Sequence, residues 1–431
     1  MDKIIVNGGC TLRGTVDISG MKNAALPIIY ATVLVQDKCV LGNIPNVRDI
    51  ALSLRILEEM GATVNRIDET TVEIDCTDIE QGTSRADLAQ KIRASYYLLG
   101  SELGRFKKAK VAYPGGCDFG GRPIDQHVKG FELLGATVNV ENCDDTCCIE
   151  MDAEDGLYGT NIFFDIVTVG ATINVMLAAA LAKGTTIIEN AAREPHIVDL
   201  ANFLNTCGAR ISGAGTDVIK IKGVESLHGC TYDIIPDMIE AGTYMIAAAA
   251  TGGCIKITNV IPKHLESISA KLEETGAIVE ELDDAVIVTG RDTIRKANIK
   301  TLPYPGFPTD MQPQMATLLC FGSGVSYVSE GVYEKRFRYV EELKKMGASI
   351  KVDGRTAVIE GGLPLHGAEV QAVDLRAGVA MIIAGLVAEG TTEISNIHLI
   401  ERGYEDVVGK FASLGADIKK VTVPDPVEAV K

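Results

Sequence analysis

The sequence predicts an α/β (α+β) protein of two domains, each built from three βαβαββ-like repeats. Three observations support this prediction: six helices end in Gly-Ala and lead into a strand, short strands ending in asparagine precede several of these helices, and alanine-rich helices precede several of those strands. Strands and helices that alternate at this density are typical of layered α/β or α+β folds. A chain of 431 residues is long enough for two such domains.

The Gly-Ala marker sets the length of the repeat. Its glycines lie 68 to 74 residues apart, and each stands where a helix C′ residue needs a positive φ. The six pairs are Gly61-Ala62, Gly135-Ala136, Gly208-Ala209, Gly276-Ala277, Gly347-Ala348 and Gly415-Ala416. This period is too long for the common solenoid repeats, so it favours compact pseudo-threefold domains.

The second marker is a short strand followed by a turn and a helix. Such strands end at Asn190, Asn259 and Asn396. Alanine-rich stretches at 171–182, 242–250 and 377–388 lie before them. Stretches this short and apolar are predicted to be buried helices.

The charge balance excludes several classes of partner. The chain carries 41 basic and 58 acidic residues, a formal net charge of −17. Such a field repels nucleic acids and anionic membranes, so neither is a predicted partner. An anionic small ligand would need a local cluster of cations.

No run of about 20 apolar residues is available to span a membrane, and no signal peptide is recognisable. A cytoplasmic protein is therefore predicted, and the oligomeric state stays open.

The cysteine and histidine patterns predict neither a metal site nor a cofactor. The eleven cysteines are scattered, and the spacing of the nearest group, Cys143, Cys147 and Cys148, matches no common zinc pattern. Neither His127 nor His264 belongs to a His-Glu-x-x-His motif, and there is no phosphate-binding P-loop sequence. Reduced thiols are the expected state.

A glycine-rich loop at 113–123 stands out within the second repeat. Four glycines surround Cys117, and Arg122 follows just before a predicted helix. Glycines allow a backbone to pass close to a ligand, and the other repeats have no such insertion between strand and helix. The alternatives are an incidental surface cysteine and a thiol placed to meet a ligand.

Several cations lie in poorly charged surroundings near predicted helix starts. They are Lys22, Arg93, Arg122, Arg336, Arg376 and Arg402. Each alone is more often a surface or ion-pair residue. Together they suggest an anion site, since helix N-termini and forked guanidinium groups both suit phosphate and carboxylate.

Asp310, in Pro308-Thr309-Asp310-Met311-Gln312, is a candidate general base. The alternative is ordinary N-cap chemistry, because Thr and Asp before a helix commonly cap it. The spacing slightly favours the cap.

Taken together, these motifs resemble those of the enolpyruvyl transferases, and the resemblance covers nearly the whole chain. The stretches that carry it are 19–27, 114–125, 189–195, 307–312, 374–377 and 402–404. The resemblance implies two inside-out α/β barrel domains, 22–229 and 1–21 with 230–431, with the N-terminal strand completing the second. It also implies an active site in the interdomain cleft.

The resemblance further implies the substrates phosphoenolpyruvate and UDP-N-acetylglucosamine, without a cofactor or metal. Lys22, Arg122 and Arg402 would hold the phosphate, and Arg376 and Arg402 would lie near the carboxylate. The remaining implied substrate contacts are Asn23, Arg93, Pro123, Ile124, Asp125, Gln126, Thr168, Val169, Gly170, Asp310, Val332, Arg336 and Asp374.

The resemblance assigns the chemistry to Asp310 as base and Cys117 as acid, with Lys22 and Arg402 assisting. Cys117 would also be the thiol that fosfomycin alkylates. Two alternatives stay open: the branch that acts on 3-phosphoshikimate, which lacks this cysteine loop, and a non-catalytic UDP-sugar-binding paralogue.

Overall fold

The computed structural model describes residues 2–80, 88, 91–112, 123–143 and 146–423, so Cys117 and Arg122 lie outside the described residues. The described chain forms two compact units. The terminal unit contains residues 2–19 and 236–423, and the middle unit contains the described residues between Gly20 and Ile235. In the part of the chain that is described, no helix is long and apolar enough to cross a membrane.

The helices divide between the two units. The middle unit contains α1 (Lys22–Ala31), α2 (Arg48–Glu59), α3 (Tyr97–Phe106), α4 (Asp125–Leu133), α5 (Val169–Ala179) and α6 (Pro195–Thr206). The terminal unit contains α7 (Met238–Ala250), α8 (Glu266–Thr275), α9 (Gln312–Phe321), α10 (Val340–Lys345), α11 (Leu375–Val387) and α12 (Val407–Ser413). Short 3₁₀ segments span Thr32–Leu34, Arg93–Tyr96, Pro262–His264, Thr309–Met311, Arg336–Tyr339 and Ile397–Arg402.

The strands follow the same division. The terminal unit begins with β1 (Asp2–Asn7) and β2 (Arg13–Asp17). The middle unit contains β3 (Lys38–Gly42), β4 (Thr63–Arg66), β5 (Val72–Asp75), β6 (Lys108–Ala112), β7 (Thr137–Cys143), β8 (Thr146–Asp152), β9 (Asn161–Phe163), β10 (Thr185–Glu189), β11 (Arg210–Ser212), β12 (Val218–Lys222) and β13 (Thr231–Asp233). The terminal unit continues with β14 (Cys254–Thr258), β15 (Ile278–Glu281), β16 (Ala285–Thr289), β17 (Ile299–Lys300), β18 (Gly324–Ser329), β19 (Ser349–Asp353), β20 (Thr356–Gly361), β21 (Glu369–Gln371), β22 (Thr391–Ser395) and β23 (Asp417–Thr422).

Each repeat contributes one small sheet, and the βαβαββ order is visible in the chain. In the third repeat β9, α5, β10, α6, β11 and β12 follow one another. Its sheet has the order β11-β12-β10-β9, with β9 parallel to β10 and the other pairs antiparallel. Four other sheets have this pattern. In the sheet of the second repeat, the described residues form three strands in the order β6-β8-β7. The predicted α/β class and its repeats are therefore confirmed.

The N-terminal strands complete sheets formed late in the chain. β1 lies between β22 and β23 and pairs antiparallel with both. β2 pairs parallel with β14, while β13 pairs parallel with β3. We call the strand before the first helix of a repeat its leading strand; β2 is that strand in the first repeat and β13 in the fourth. The first and fourth repeats have thus exchanged their leading strands.

The alanine-rich helices lie inside the units, as predicted. All residues of α7 are buried, and α5 and α11 are buried apart from one end residue each. In the terminal unit α7, α9 and α11 contact one another, and each also contacts strands of its own repeat. Their small, apolar side chains allow this close packing. The helices therefore form the core of the unit, and the sheets lie outside them.

The Gly-Ala marker forms the predicted left-handed helix end in all six repeats. The glycines have φ between 96° and 103°. In the first copy the Ala62 N–H donates to Leu57 O at 2.9 Å and the Gly61 N–H donates to Glu58 O at 3.0 Å, which is the Schellman pattern. The other five copies make the same two bonds.

The asparagine marker also has a physical explanation. Asn43, Asn190, Asn259 and Asn396 follow equivalent strands and have φ between 52° and 57°. The side-chain amides of Asn43, Asn190 and Asn259 donate at 2.6 to 2.8 Å to the backbone carbonyl of the residue that follows the neighbouring leading strand. Asparagine tolerates the left-handed region better than other residues with a β-carbon, so one residue both turns the chain and joins two strands.

Asn259 offers a test of this marker. Asn259→Ala removes the 2.6 Å bond to Ile18 O and forces alanine to φ 54°. We expect a loss of about 2 to 3 kcal/mol in the free energy of unfolding. Asn259→Gly removes only the bond, so a loss of about 1 kcal/mol is expected. Urea denaturation of both variants measures the difference, and equal losses would show that backbone strain is not part of the marker.

Candidate functional site

Asp310 lies between two buried guanidinium groups of the terminal unit. Its Oδ1 is 3.2 Å from Arg336 Nη2, and its Oδ2 is 3.1 Å from Arg376 Nη2 and 3.2 Å from Arg376 Nε. The arginine side chains are 0% and 3% exposed, whereas that of Asp310 is 28% exposed. The carboxylate is therefore the part of this triad that reaches solvent.

The N-cap interpretation of Asp310 is wrong. Neither the 3₁₀ segment Thr309–Met311 nor α9, which follows it, has a side-chain cap at its start. The carboxylate is instead committed to the two arginines. Charge-assisted bonds of this kind are stronger than neutral ones and fix the carboxylate position.

Arg376 is held by several groups and keeps one donor unused. Its guanidinium lies 5.2 Å from the centre of the Tyr404 ring. Burial opposes its charge, but Tyr404, Asp310 and Asp237 outweigh burial and raise the pKa of Arg376 above its ordinary value. Its buried Nη1 has no hydrogen-bond partner among the described residues. A fixed cation with a spare N–H is suited to a carboxylate or phosphate oxygen.

Asp374 and Tyr404 hold Arg376 in place from two sides. Asp374 caps α11 and accepts from the backbone N–H groups of Arg376 and Ala377 at 2.8 and 2.9 Å. The Tyr404 hydroxyl lies 2.9 Å from that of Thr243. Asp374 was a predicted substrate contact, and within the terminal unit it has this capping role.

Glu330 is a positioning residue that the sequence did not reveal. It is 2% exposed. Its Oε2 accepts from the Thr309 hydroxyl at 3.0 Å, and its Oε1 accepts from the N–H groups of Val332 and Tyr333 at 2.8 and 3.1 Å. One carboxylate thus joins the segment that carries Asp310 to the turn that carries the predicted contact Val332.

Lys22 is the first residue of α1 and forms a buried ion pair in the middle unit. Its Nζ is 3.1 Å from Asp49 Oδ2, and both side chains are less than 10% exposed. Asp49 belongs to the first turn of α2. The ion pair therefore joins the starts of α1 and α2. Asn23, the next residue after Lys22, is half-buried.

Arg93 and Gly170 lie beside two aromatic residues, Tyr96 and His127, that are not among the predicted site residues. The Arg93 guanidinium lies 5.4 Å from the Tyr96 ring centre, and the Tyr96 and His127 ring centres are 5.2 Å apart. A β-carbon on Gly170 would lie 2.3 Å from the Tyr96 hydroxyl and 2.8 Å from His127 Nε2, so only glycine fits there. Burial, with a smaller effect of Arg93, lowers the pKa of His127 to about 3, so this histidine is neutral.

Gln126 connects α4 to the loop before α5. Its amide donates to Asp125 Oδ2 at 2.8 Å and to Asp165 Oδ2 at 3.1 Å. Its Oε1 accepts from the Asp165 N–H at 3.0 Å. This loop leads into Thr168 and Val169, which are half-buried, so the predicted contacts on α4 and α5 share one bonded framework.

The other predicted residues take simpler positions. Pro123 and Asp125 are exposed, Ile124 is buried and Arg402 is half-buried. Lys22 and Arg376 stand at helix starts and Arg93 and Arg336 at 3₁₀ starts, as predicted, but Arg402 ends the segment Ile397–Arg402 rather than starting a helix. The predictions for Cys117 and Arg122 lie outside the described residues.

The chain belongs to the enolpyruvyl transferase family. The family model described as EPSP synthase (3-phosphoshikimate 1-carboxyvinyltransferase) matches residues 6–411. UDP-N-acetylglucosamine 1-carboxyvinyltransferase 2 of Clostridium acetobutylicum is 56% identical over 97% of this chain and 99% of that protein. UDP-N-acetylglucosamine 1-carboxyvinyltransferase of Clostridium botulinum is 56% identical over 98% of this chain and its own full length.

Solved structures agree with this assignment. The enolpyruvyl transferase NikO from Streptomyces tendae superposes with a TM-score of 0.88 at 26% identity, covering 98% of this chain and 99% of that chain. EPSP synthase from Acinetobacter baumannii has a TM-score of 0.76 at 17% identity, covering 98% of this chain and 100% of that chain, and shares the fold. The family resemblance and the two-domain α/β fold predicted from the sequence are confirmed.

Glu330 gives a testable prediction about the terminal unit. Glu330→Ala removes the acceptor of the Val332 and Tyr333 N–H groups. We expect these two amides to exchange with deuterium faster, and the free energy of unfolding to fall by about 1 to 3 kcal/mol because two backbone donors lose their acceptor. Hydrogen exchange read by NMR or mass spectrometry measures the effect. Glu334→Ala, at an exposed ion pair with Arg355, is the matched control, and equal exchange in the two variants would contradict the positioning role.

Proposed function

We propose that this chain transfers the enolpyruvyl group of phosphoenolpyruvate to the 3-hydroxyl of UDP-N-acetylglucosamine and releases phosphate. The observation that carries the proposal is 56% identity, over nearly the whole chain, to proteins named for this reaction. The reaction commits UDP-N-acetylglucosamine to peptidoglycan synthesis. We therefore propose that the protein acts in the cytoplasm and contributes to cell shape and cell division.

Asp310 is the proposed base. It removes the proton of the sugar 3-hydroxyl as that oxygen attacks C2 of phosphoenolpyruvate. Its partial exposure and fixed position between Arg336 and Arg376 support this role, because a general base must be held within hydrogen-bond reach of the proton it takes.

Cys117 is the proposed acid. It delivers a proton to C3 of phosphoenolpyruvate, which gives a tetrahedral phospholactoyl ketal. In the elimination the Cys117 thiolate takes a C3 proton back, the C–H electrons re-form the C2–C3 double bond, and the bond between C2 and the phosphate oxygen breaks. Phosphate departs and the enolpyruvyl ether is the product. An acid and a base that act on opposite ends of the double bond suit such addition–elimination chemistry.

The cations are proposed to hold the anionic substrate. Lys22, Arg122 and Arg402 bind the phosphate, while Arg376 and Arg402 bind the carboxylate. The spare Nη1 donor of Arg376 supports its part, because preorganised donors stabilise charge without reorganising during the reaction.

A further set of predicted residues is proposed to contact the UDP-sugar: Asn23, Arg122, Pro123, Ile124, Asp125, Gln126, Thr168, Val169, Gly170, Asp310 and Val332. Arg93, Arg336 and Asp374 are proposed to belong to the same substrate site. The bonded framework of Gln126 with Asp165 supports this assignment, because it holds the starts of α4 and α5 in a fixed relation.

A direct assay tests the function. The full chain with UDP-N-acetylglucosamine and phosphoenolpyruvate is expected to release phosphate and to form a UDP-sugar heavier by one enolpyruvyl group. Phosphate release and mass spectrometry measure these products. Replacing the sugar nucleotide by 3-phosphoshikimate is the control, and turnover with that acceptor alone would favour the alternative branch. Binding of UDP-N-acetylglucosamine without turnover would favour a non-catalytic paralogue.

The acid and base assignments have different signatures. Asp310→Asn and Cys117→Ser should each lower kcat by roughly 10²-fold or more, the usual size of a general acid–base contribution. Fosfomycin should inactivate the wild type and covalently label Asp310→Asn, but it should not label Cys117→Ser. Labelling is read by intact mass, and labelling of Cys117→Ser would rule out this thiol as the target.

A further inference from the structure

Three cysteines that are distant in the sequence meet in the middle unit. Cys39 lies on β3, Cys207 follows the last residue of α6, and Cys230 precedes β13. Their three Sγ atoms all lie within 4.8 Å of one another. Cys39 and Cys207 are buried, and Cys230 is half-buried. This thiol cluster belongs to neither the Asp310 triad nor the His127 neighbourhood.

The spacing of the thiol cluster suits metal coordination better than a disulfide. Cys207 Sγ and Cys230 Sγ are 3.4 Å apart, and all three thiols are free. A disulfide would bring two of them to about 2.0 Å. Thiolates at about 2.3 Å from one tetrahedral zinc ion lie roughly 3.8 Å apart. Three mutual separations below 4.8 Å fit that arrangement with small side-chain adjustments.

Backbone hydrogen bonds hold the three segments together without a metal. The Val40 N–H donates to Cys230 O at 2.8 Å, and the His228 N–H donates to Cys207 O at 2.9 Å. The ligand-bearing residues are thus fixed by the fold itself. A preformed set of ligands binds a metal more tightly, because less chain must be ordered on binding.

The chemistry of the surroundings selects a soft cation. The carboxylate of Asp37 accepts from the Lys38 and Gly229 N–H groups, and that of Asp199 accepts from the Tyr232 hydroxyl. These two carboxylates therefore have partners of their own. Three sulfur ligands without a carboxylate favour zinc or copper(I) over magnesium or calcium.

We propose that Cys39, Cys207 and Cys230 form a zinc-binding site of three thiolates, with solvent as the fourth ligand on the half-buried Cys230 side. Binding replaces three thiol protons by one Zn²⁺ and involves no redox change. The ion would join β3, α6 and the start of β13, the strand that the fourth repeat exchanges with the first. The sequence predicts no metal site, because the three residues show no recognisable spacing along the chain.

Metal titration of the reduced, metal-free full chain tests the site. Zn²⁺ in competition with a chromogenic chelator should bind one equivalent tightly. Co²⁺ in its place should give thiolate-to-cobalt charge-transfer bands and the intense visible bands of tetrahedral geometry. Each of Cys39→Ser, Cys207→Ser and Cys230→Ser should weaken binding by at least about 100-fold, because even outer-shell changes weaken binding 10- to 100-fold.

Matched variants separate this site from other thiols. Cys76→Ser removes a buried cysteine of the same unit outside the cluster, and Cys117→Ser removes the loop thiol; both should keep wild-type zinc affinity. Circular dichroism checks the fold of every variant. If a cluster variant does not fold, the Co²⁺ spectrum of the intact chain decides. Absence of charge-transfer bands, retention of affinity in the cluster variants, or a Cys207–Cys230 disulfide in the freshly purified chain would each overturn the proposal.

Discussion

Burial of the apolar inner helices is the constraint on which the structure depends. A helix such as α7, buried along its whole length, must be covered on every side, and one small sheet cannot do this. Three repeats supply three sheets and three helices, so the helices cover one another and the sheets cover the rest. The exchange of β2 and β13 between the first and fourth repeats follows the same rule, because every sheet still receives its parallel leading strand.

The same architecture determines where polar chemistry can occur. Lys22 begins α1, Thr168 precedes α5, Asp310 precedes α9, and Arg376 lies in the first turn of α11. A buried helix has no polar face, so its functional side chains collect at its ends. Backbone N–H groups at a helix start are also unpaired and attract anions. In these four repeats the start of the inner helix is therefore where polar and charged side chains are placed.

Charges at these positions are stable only because they are paired. Arg336 and Arg376 are almost fully buried and share Asp310, while Lys22 shares Asp49. A buried ion without a partner costs several kcal/mol, and a close counter-ion offsets most of that penalty. The pairing also orients the groups, so that the partly exposed carboxylate of Asp310 and the spare donor of Arg376 have fixed positions.

The sequence by itself determined the features that depend on local geometry. Gly61 and its five counterparts occupy left-handed helix ends, and Asn190, Asn259 and Asn396 mark the ends of strands, because a positive φ restricts the residue type at one position. The family motifs likewise predict Lys22, Asp310 and Arg376 as site residues, since their neighbours in the chain are distinctive. Tertiary structure alone decided the long-range partners. Glu330 with Thr309, His127 with Gly170, and the meeting of Cys39, Cys207 and Cys230 left no local signal, because through-space contacts between distant segments do not constrain the residues beside them.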